Sequence, residues 1–270
     1  MKKFLSAKAC SPLAIKSLLP KFETEEECYK EKQLRVNTLS RSELIKARRL
    51  AEKLSDCDDE EPCFSFSCPV CVREFRIKKI SQLALLCEDY QAWKFVTIIY
   101  YDRMTSTLGE LSIQRLIGRL RKQLKRSGIS DVLIGFFEVD YHPEYQRWMP
   151  HFHLLVRCDS TRNITWRKLR DCFNKCGKSN DVDIEVRRPT LVKRLKNPLG
   201  LISYICKIKW MRVESYYVEG ERMTRKLRLK KVNFVHSLLT LDSLKLSDIE
   251  FMHGIRQHGA TLRESVLGKK

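Results

Sequence analysis

The sequence predicts an α+β fold: an antiparallel sheet built in the order strand, helix, strand, strand, helix, strand, with its helices on one face. Three observations carry this. Phe95-Val96-Thr97-Ile98-Ile99-Tyr100-Tyr101 is a β-branched and aromatic run of strand length. The next periodic segment, Leu111 to Lys125, repeats its leucines at helical spacing, with Leu111, Leu116, Leu120 and Leu124 inward and basic residues outward. Two further apolar runs, Val132 to Asp140 and His151 to Arg157, then come in succession. With a second helix over Trp166 to Cys176 and a fourth strand over Val182 to Val186, the order is the split βαββαβ, or ferredoxin-like, arrangement.

Before the sheet, residues 26 to about 56 are charged and helix-prone, with Leu44, Ala47, Leu50, Ala51 and Leu54 three and four apart and Ser40 or Ser42 as a cap. A cysteine cluster comes next, then a connecting helix over Phe75 to Trp93. The second and third strands are expected to be joined by a long loop, Tyr141 to Pro150. After the fourth strand Asn197 caps a helix that has Pro198 at its first position. Val213 to Tyr217 and Arg225 to Lys231 form a hairpin around Glu219-Gly220, and Ser237 to Val266 reads as helix. Four regions result: a helical region 1–56, the cysteine cluster and connecting helix 57–92, the sheet domain 93–212, and a C-terminal hairpin with helical extension 213–270.

The formal net charge of +19 and a pI near 9.5 suit a polyanionic partner, because each neutralised phosphate releases counterions. Nucleic acid is the expected class. Eleven cysteines, with four of them between Cys57 and Cys71, do not read as a secreted disulfide scaffold; they read as a reducing compartment with one metal cluster. Lys16 interrupts the short apolar stretch after Pro12, and no run reaches membrane-spanning length, so a cytoplasmic protein without membrane association is expected.

The segment Trp148-Met149-Pro150-His151-Phe152-His153-Leu154-Leu155-Val156 is the most specific feature. On a strand, His151 and His153 project from one face while Phe152, Leu154 and Val156 point to the other. If the second and third strands pair, Glu138 comes close to His151 with matching parity, and its apolar neighbourhood demands a partner. His151, His153 and Glu138 are therefore the candidate ligands of a divalent cation, with Asp140 and His142 as rivals. Two nitrogens and one oxygen suit Mn²⁺ or Zn²⁺ and tolerate Mg²⁺. On the helix opened by Asn197, Tyr204 and Lys207 are three apart and hence neighbours. A tyrosine is a weak nucleophile at neutral pH, which a nearby cation and an ammonium would correct. Cys57, Cys63, Cys68 and Cys71 offer four thiolates within fifteen residues, with Cys68-x-x-Cys71 a zinc-knuckle turn, and their natural occupant is tetrahedral Zn²⁺. Among the other seven cysteines, Cys87, Cys158, Cys172, Cys176 and Cys206 read as buried small apolar residues. Basic clusters at Arg115 to Arg126 and at Arg187 to Lys196 offer phosphate contacts, and Trp148 and Tyr145 offer rings for unpaired bases.

On these residues the chain resembles the HUH endonuclease superfamily, whose members carry a histidine–hydrophobic–histidine strand. Within it the likeness is to single-tyrosine rolling-circle replication initiators of bacterial plasmids or phages with an N-terminal cysteine cluster. His151-Phe152-His153 corresponds to the two-histidine motif, Phe95 to Tyr100 to the first strand, Glu138 to the third ligand, and Tyr204 with Lys207 to the tyrosine motif; together they span about residues 57–212. The resemblance implies a Mn²⁺- or Mg²⁺-dependent nickase and strand transferase acting on single-stranded DNA at an origin or element end. Tyr204 and Lys207 would be catalytic, and the product a 5′-phosphotyrosine. The chain departs from the pattern in having no second tyrosine on that helix, Tyr216 and Tyr217 lying on the next element. It also lacks a fused helicase, Gly177-Lys178-Ser179 being an incomplete phosphate loop, so a host helicase is implied. A transposase or relaxase would use the same chemistry; a zinc-containing nucleic-acid-binding module without catalysis is the different class.

Overall fold

A computed structural model describes residues 13–15, 24–128, 132–158, 167, 170–171, 189–259 and 261–265, and has an α+β architecture on a seven-stranded mixed sheet. It opens with α1 (Glu25–Ser40) and α2 (Ile45–Ser55). At the start of α1 Thr24 and Glu27 satisfy each other's backbone N–H groups in a capping box. The helix-prone stretch expected over 26–56 forms two helices, turned where the hydroxyl of Ser42, one of the two expected cap positions, accepts the N–H of Leu44. Of the face expected for α2, Ala47, Leu50, Ala51 and Leu54 are buried, while Leu44, at the cap, is exposed.

The connecting helix, α3, runs over Pro69–Leu86 rather than 75–93. Pro69 lacks an N–H that a first turn leaves unused, so the helix can begin directly on the last two cysteines. Trp93 instead starts β1 (Trp93–Ile99), succeeded by α4 (Ile113–Arg126), β2 (Leu133–His142), β3 (Arg147–Arg157) and β4 (Thr190–Arg194). After these come α5 (Pro198–Ile205), β5 (Arg212–Val218) and β6 (Glu221–Leu227). The chain continues through α6 (Lys231–Ser243), α7 (Leu246–Ile249), β7 (Glu250–His253), β8 (Ile255–His258) and β9 (Thr261–Glu264). The helix expected at Trp166 to Cys176, apart from Arg167, Arg170 and Asp171, and the strand expected at Val182 to Val186 lie outside the described residues.

The sheet order is β4-β1-β3-β2-β5-β6. β2 and β3 pair antiparallel from Leu133 opposite Val156 to His142 opposite Arg147. The long loop expected at Tyr141 to Pro150 is thus a short turn, because Pro150 lacks only a donor and its carbonyl still accepts the N–H of Tyr100. The far edge of β2 is shared: β7 pairs antiparallel along Leu133 to Phe136, and β5 joins parallel at Tyr141. The helix expected over Ser237 to Val266 ends at Ser243, and the chain beyond Ser243 forms mostly short strands, β7 closing on β2.

Both faces of the sheet are covered. Cross-strand partners share a face, so Thr97, Phe136, Glu138, His151 and His153 lie together. α3 reaches this face through Phe75 on Phe136, and α5 through Tyr204 on Phe95 and His153. On the opposite face Phe152 packs on Tyr100, Phe137 and Phe251. There α4 contributes Gln123, which accepts the Tyr100 hydroxyl, and Arg121, over the Phe251 ring. Helices on one face only, as expected, would leave Phe95 and Phe136 in water. Where β2 and β3 meet, Gly135 is required: a Cβ there would sit 1.9 Å from the carbonyl oxygen of His153.

Candidate metal centre and its tyrosine

Three buried side chains converge at the middle of the sheet. Glu138 lies opposite His151 in register, and His153 lies opposite Phe136 two positions away, so pleat and pairing aim all three at one point. Glu138 Oε2 stands 3.1 Å from His153 Nε2 and 3.6 Å from His151 Nε2. The Nδ1 atoms are held elsewhere: that of His151 lies 3.2 Å from the Met149 carbonyl and that of His153 2.9 Å from the Thr97 hydroxyl. With Nδ1 protonated toward those oxygens, both Nε2 lone pairs face the carboxylate, as backing groups do for metal-binding histidines. His153 Nε2 is buried and, despite its closeness to Glu138, makes no hydrogen bond of acceptable geometry among the described residues. Burial pushes His153 down to about 4, so the ring is neutral at pH 7 and its nitrogen is free to donate electrons. These ligand atoms lie within 4.8 Å of one another, a donor set that fits a divalent cation.

Glu138 is surrounded by charge. Burial would raise its carboxyl, but the ammonium groups of Lys207 and Lys226 hold it well below the usual range. Lys207 Nζ lies 2.9 Å from Oε1 and Lys226 Nζ 3.7 Å from the same oxygen. Lys226 is also 2.6 Å from Asp140 Oδ2 and 3.3 Å from the Tyr204 hydroxyl. Burial works against this ammonium, yet Glu138 and Asp140 push it well above the ordinary lysine range. The other Asp140 oxygen accepts the N–H of Met211. Asp140 is therefore committed to Lys226 and the backbone. The second rival, His142, is buried and pushed down to about 4 by that burial, and its ring stacks on Tyr145.

Asn197 caps α5 as expected, its side chain accepting the N–H of Gly200, and Ile202 and Ile205 anchor the helix. Tyr204 is thereby set edge-on to His153, ring centroids 4.9 Å apart. The helix ends at Ile205, so Lys207 is past its last turn: it forms a salt bridge with Glu138 and lies 5.5 Å from the Tyr204 ring centre. The cation bonded to the tyrosine hydroxyl is Lys226, from β6, which the sequence alone did not single out. Nothing in local periodicity marks it; only the sheet contact of β5 with β2 brings its hairpin to the site.

Cys57, Cys63, Cys68 and Cys71 form the second cluster. Their sulfurs lie 3.5 Å apart (Cys57 to Cys71), 3.6 Å (Cys57 to Cys68) and 3.8 Å (Cys63 to Cys71). Ligands about 2.3 Å from a tetrahedral zinc would be about 3.8 Å apart, so the cage fits that ion. The Cys63 N–H points at the Cys57 sulfur, as backbone donors do toward thiolates. Hydrogen bonds from Cys63 and Cys68 hold the Cys71 thiol down, to about 4, while Cys68 is pushed up by its own contacts with Cys63 and Cys71. Four sulfurs this close ionise together only around a cation.

Other expected residues fall differently. Trp148 is buried between Tyr141 and Trp210, unable to stack on a base as it stands. Arg115, Arg121, Lys122, Lys125 and Arg126 are exposed on α4, on the sheet face away from the histidines. Lys193, Arg194 and Lys196 are exposed at the end of β4, while Arg187 and Arg188 lie outside the described residues, as do Cys172, Cys176 and Gly177-Lys178-Ser179. Cys87, Cys158 and Cys206 are buried, as expected. Among the described residues no helix is long and apolar enough to cross a membrane. No family model, curated protein or solved structure matches this chain.

Proposed function

We propose that this chain is a metal-dependent nickase and strand transferase for single-stranded DNA, of the HUH type, serving rolling-circle replication of a plasmid or phage. The observation that carries the reading is the packing of a helix-borne tyrosine against one of two strand-borne histidines that share a buried carboxylate. The strand order β4-β1-β3-β2 is the order a split βαββαβ sheet has, which supports the ferredoxin-like reading of the core. His151, His153 and Glu138 would hold Mn²⁺ or Mg²⁺, and the cysteine cage Zn²⁺. The cation, when bound, supplies charge withdrawal from the phosphodiester oxygens. The Tyr204 oxygen forms a bond to phosphorus as the bond from phosphorus to the 3′ oxygen breaks. The phenol gives up one proton and the departing oxygen takes one up, leaving a 5′-phosphotyrosine and a 3′-hydroxyl. Thr97 and the Met149 carbonyl fix the histidine rings, and Phe95 and His153 fix the tyrosine. Exposed lysines and arginines supply most of the DNA affinity, and strand separation falls to a host helicase.

The test is a 3′-labelled pool of single-stranded oligonucleotides incubated with the protein and Mn²⁺, then run on a denaturing gel. A label-bearing protein band whose peptide map ends at Tyr204, absent in Tyr204→Phe, is the expected result. An adduct at Tyr216 or Tyr217 would displace Tyr204 as nucleophile. Cleavage without any adduct would mean a hydrolytic nuclease, and zinc-dependent DNA binding without cleavage a binding module.

A further inference from the structure

We propose that Lys226, carried by the β5–β6 hairpin, is a catalytic residue of this site, holding the negative charge that gathers on the Tyr204 oxygen; this rests on the function proposed above. An ammonium has three N–H donors. Lys226 donates one to the Tyr204 hydroxyl at 3.3 Å, and its charge is paired with two carboxylates of the site, Asp140 Oδ2 at 2.6 Å and Glu138 Oε1 at 3.7 Å. The neighbouring cations of the hairpin are used otherwise. Arg222 binds Glu144 and Ser215, and Arg225 binds Glu214 and covers the Tyr216 ring. Lys207, the cation nearest in sequence to Tyr204, is bonded to Glu138.

The arrangement is ordered before any substrate arrives. Asp140 takes the Met211 N–H on one oxygen and Lys226 on the other, so the residue that leads into β5 and the lysine on β6 are tied to the same carboxylate. Asp140 is thus a positioning residue for Lys226. A preorganised cation at the reacting oxygen stabilises charge that appears only in the transition state, and so acts on the chemical step rather than on binding. In cleavage the Tyr204 oxygen bonds to phosphorus while the 3′ oxygen leaves and takes a proton. In rejoining the 3′-hydroxyl oxygen, losing its proton, bonds to phosphorus while the tyrosine oxygen leaves. Lys226 faces the same atom in both directions, so both must depend on it.

The experiment uses the full chain with Mn²⁺ and the 3′-labelled single-stranded pool. Single-turnover adduct formation in Lys226→Met is expected to fall about 100-fold, the size typical for losing one charge-stabilising donor. Manganese content and affinity for the pool, measured separately, are expected to stay within about 3-fold, because affinity is spread over many phosphate contacts. Lys226→Arg, which keeps the charge, should recover most of the loss. Adduct isolated from Lys226→Met after long incubation, then given a strand with a free 3′-hydroxyl, should rejoin slowly by a similar factor, a readout that impaired DNA capture would not move. Wild-type rates of cleavage and rejoining in a folded Lys226→Met would overturn the proposal alone. Absence of adduct in the wild type would instead overturn the reading on which it rests, and the proposal with it. A loss in Lys226→Met that Lys226→Arg does not restore, with manganese content lost as well, would reduce Lys226 to a structural counter-charge and also overturn it.

Discussion

Glu138 carries more of this site than its single negative charge suggests. One oxygen faces the two histidine Nε2 atoms and the other is taken by Lys207 and, more distantly, by Lys226. A cation on the histidine side must share the carboxylate with the ammonium opposite, and like charges this close repel. Lys207→Met is therefore expected to bind Mn²⁺ more tightly, by about 3- to 10-fold in a partly exposed setting. Glu138→Gln should weaken it at least about 10-fold, and Asp140→Asn should change it little, since Asp140 is turned toward Lys226 and Met211. Titration monitored by the paramagnetic resonance of free Mn²⁺ gives all three constants. If Asp140→Asn proves to be the variant that loses the ion, the ligand assignment is wrong. The histidine pair and the parity of Glu138 were legible in the sequence because strand alternation is local. The exchange of roles between Lys207 and Lys226 was not, because it depends on where α5 ends and on one residue-long pairing of β5 with β2.

At the scale of elements, β2 and β3 leave no room for a side chain at Gly135. Gly135→Ala would force a methyl against the His153 carbonyl and the Leu154 backbone, two strands that hold the ligands between them. A loss of roughly 3 kcal/mol is expected in urea unfolding, the upper range for overpacking, together with weakened Mn²⁺ binding. Wild-type stability in that variant would show that the strands can part there freely. The cysteine cage lies at the start of α3, with Cys68 at its cap and Cys71 in its first turn, and Arg76 further along α3 reaches Ser203 of α5. Replacing Cys68 and Cys71 by serine should remove one zinc by metal analysis and lower the thermal midpoint. Hydrogen exchange over 198–206 should quicken as α5 loses its support. Strand cores, the Asn197-Pro198 helix start and the Glu219-Gly220 hairpin turn could be read because each is written in adjacent residues. The stretch after Ser243 misled, since a short apolar run does not by itself choose between helix and strand, and only pairing with β2 decides.

The whole molecule is held by joints between distant parts of the chain. Glu31 on α1 binds Arg35 and also Arg228, just after the hairpin. Burial alone would raise Glu31, but the Arg228 and Arg35 guanidinium groups bring it down to about 2 from an ordinary 4.5. Its contribution is therefore complete above pH 4.5 and is lost as the pH falls through that interval toward 2, because only the ionised group binds the arginines. Glu31→Gln should cost about 1–2 kcal/mol at neutral pH and flatten the acid limb of a stability-versus-pH curve; an unchanged acid limb would show that this joint adds nothing. At the other end, Ser65 and Lys53 hold Asp242 of α6, and Ser67 bonds the Leu238 carbonyl, fastening the cysteine region to a helix far along the chain. The shared edge of β2 has one more consequence. Leu133 pairs with His253, about 120 positions later, and such distant pairing is slow to form. Until β7 arrives, Leu133 to Phe136 present an open row of backbone donors and acceptors on an apolar strand, a template for any other chain in the same state. A protein shortened to end at Ser243 should therefore lose solubility before it loses its histidines, and crowding of half-made chains, rather than damage to the site, is the hazard this topology carries.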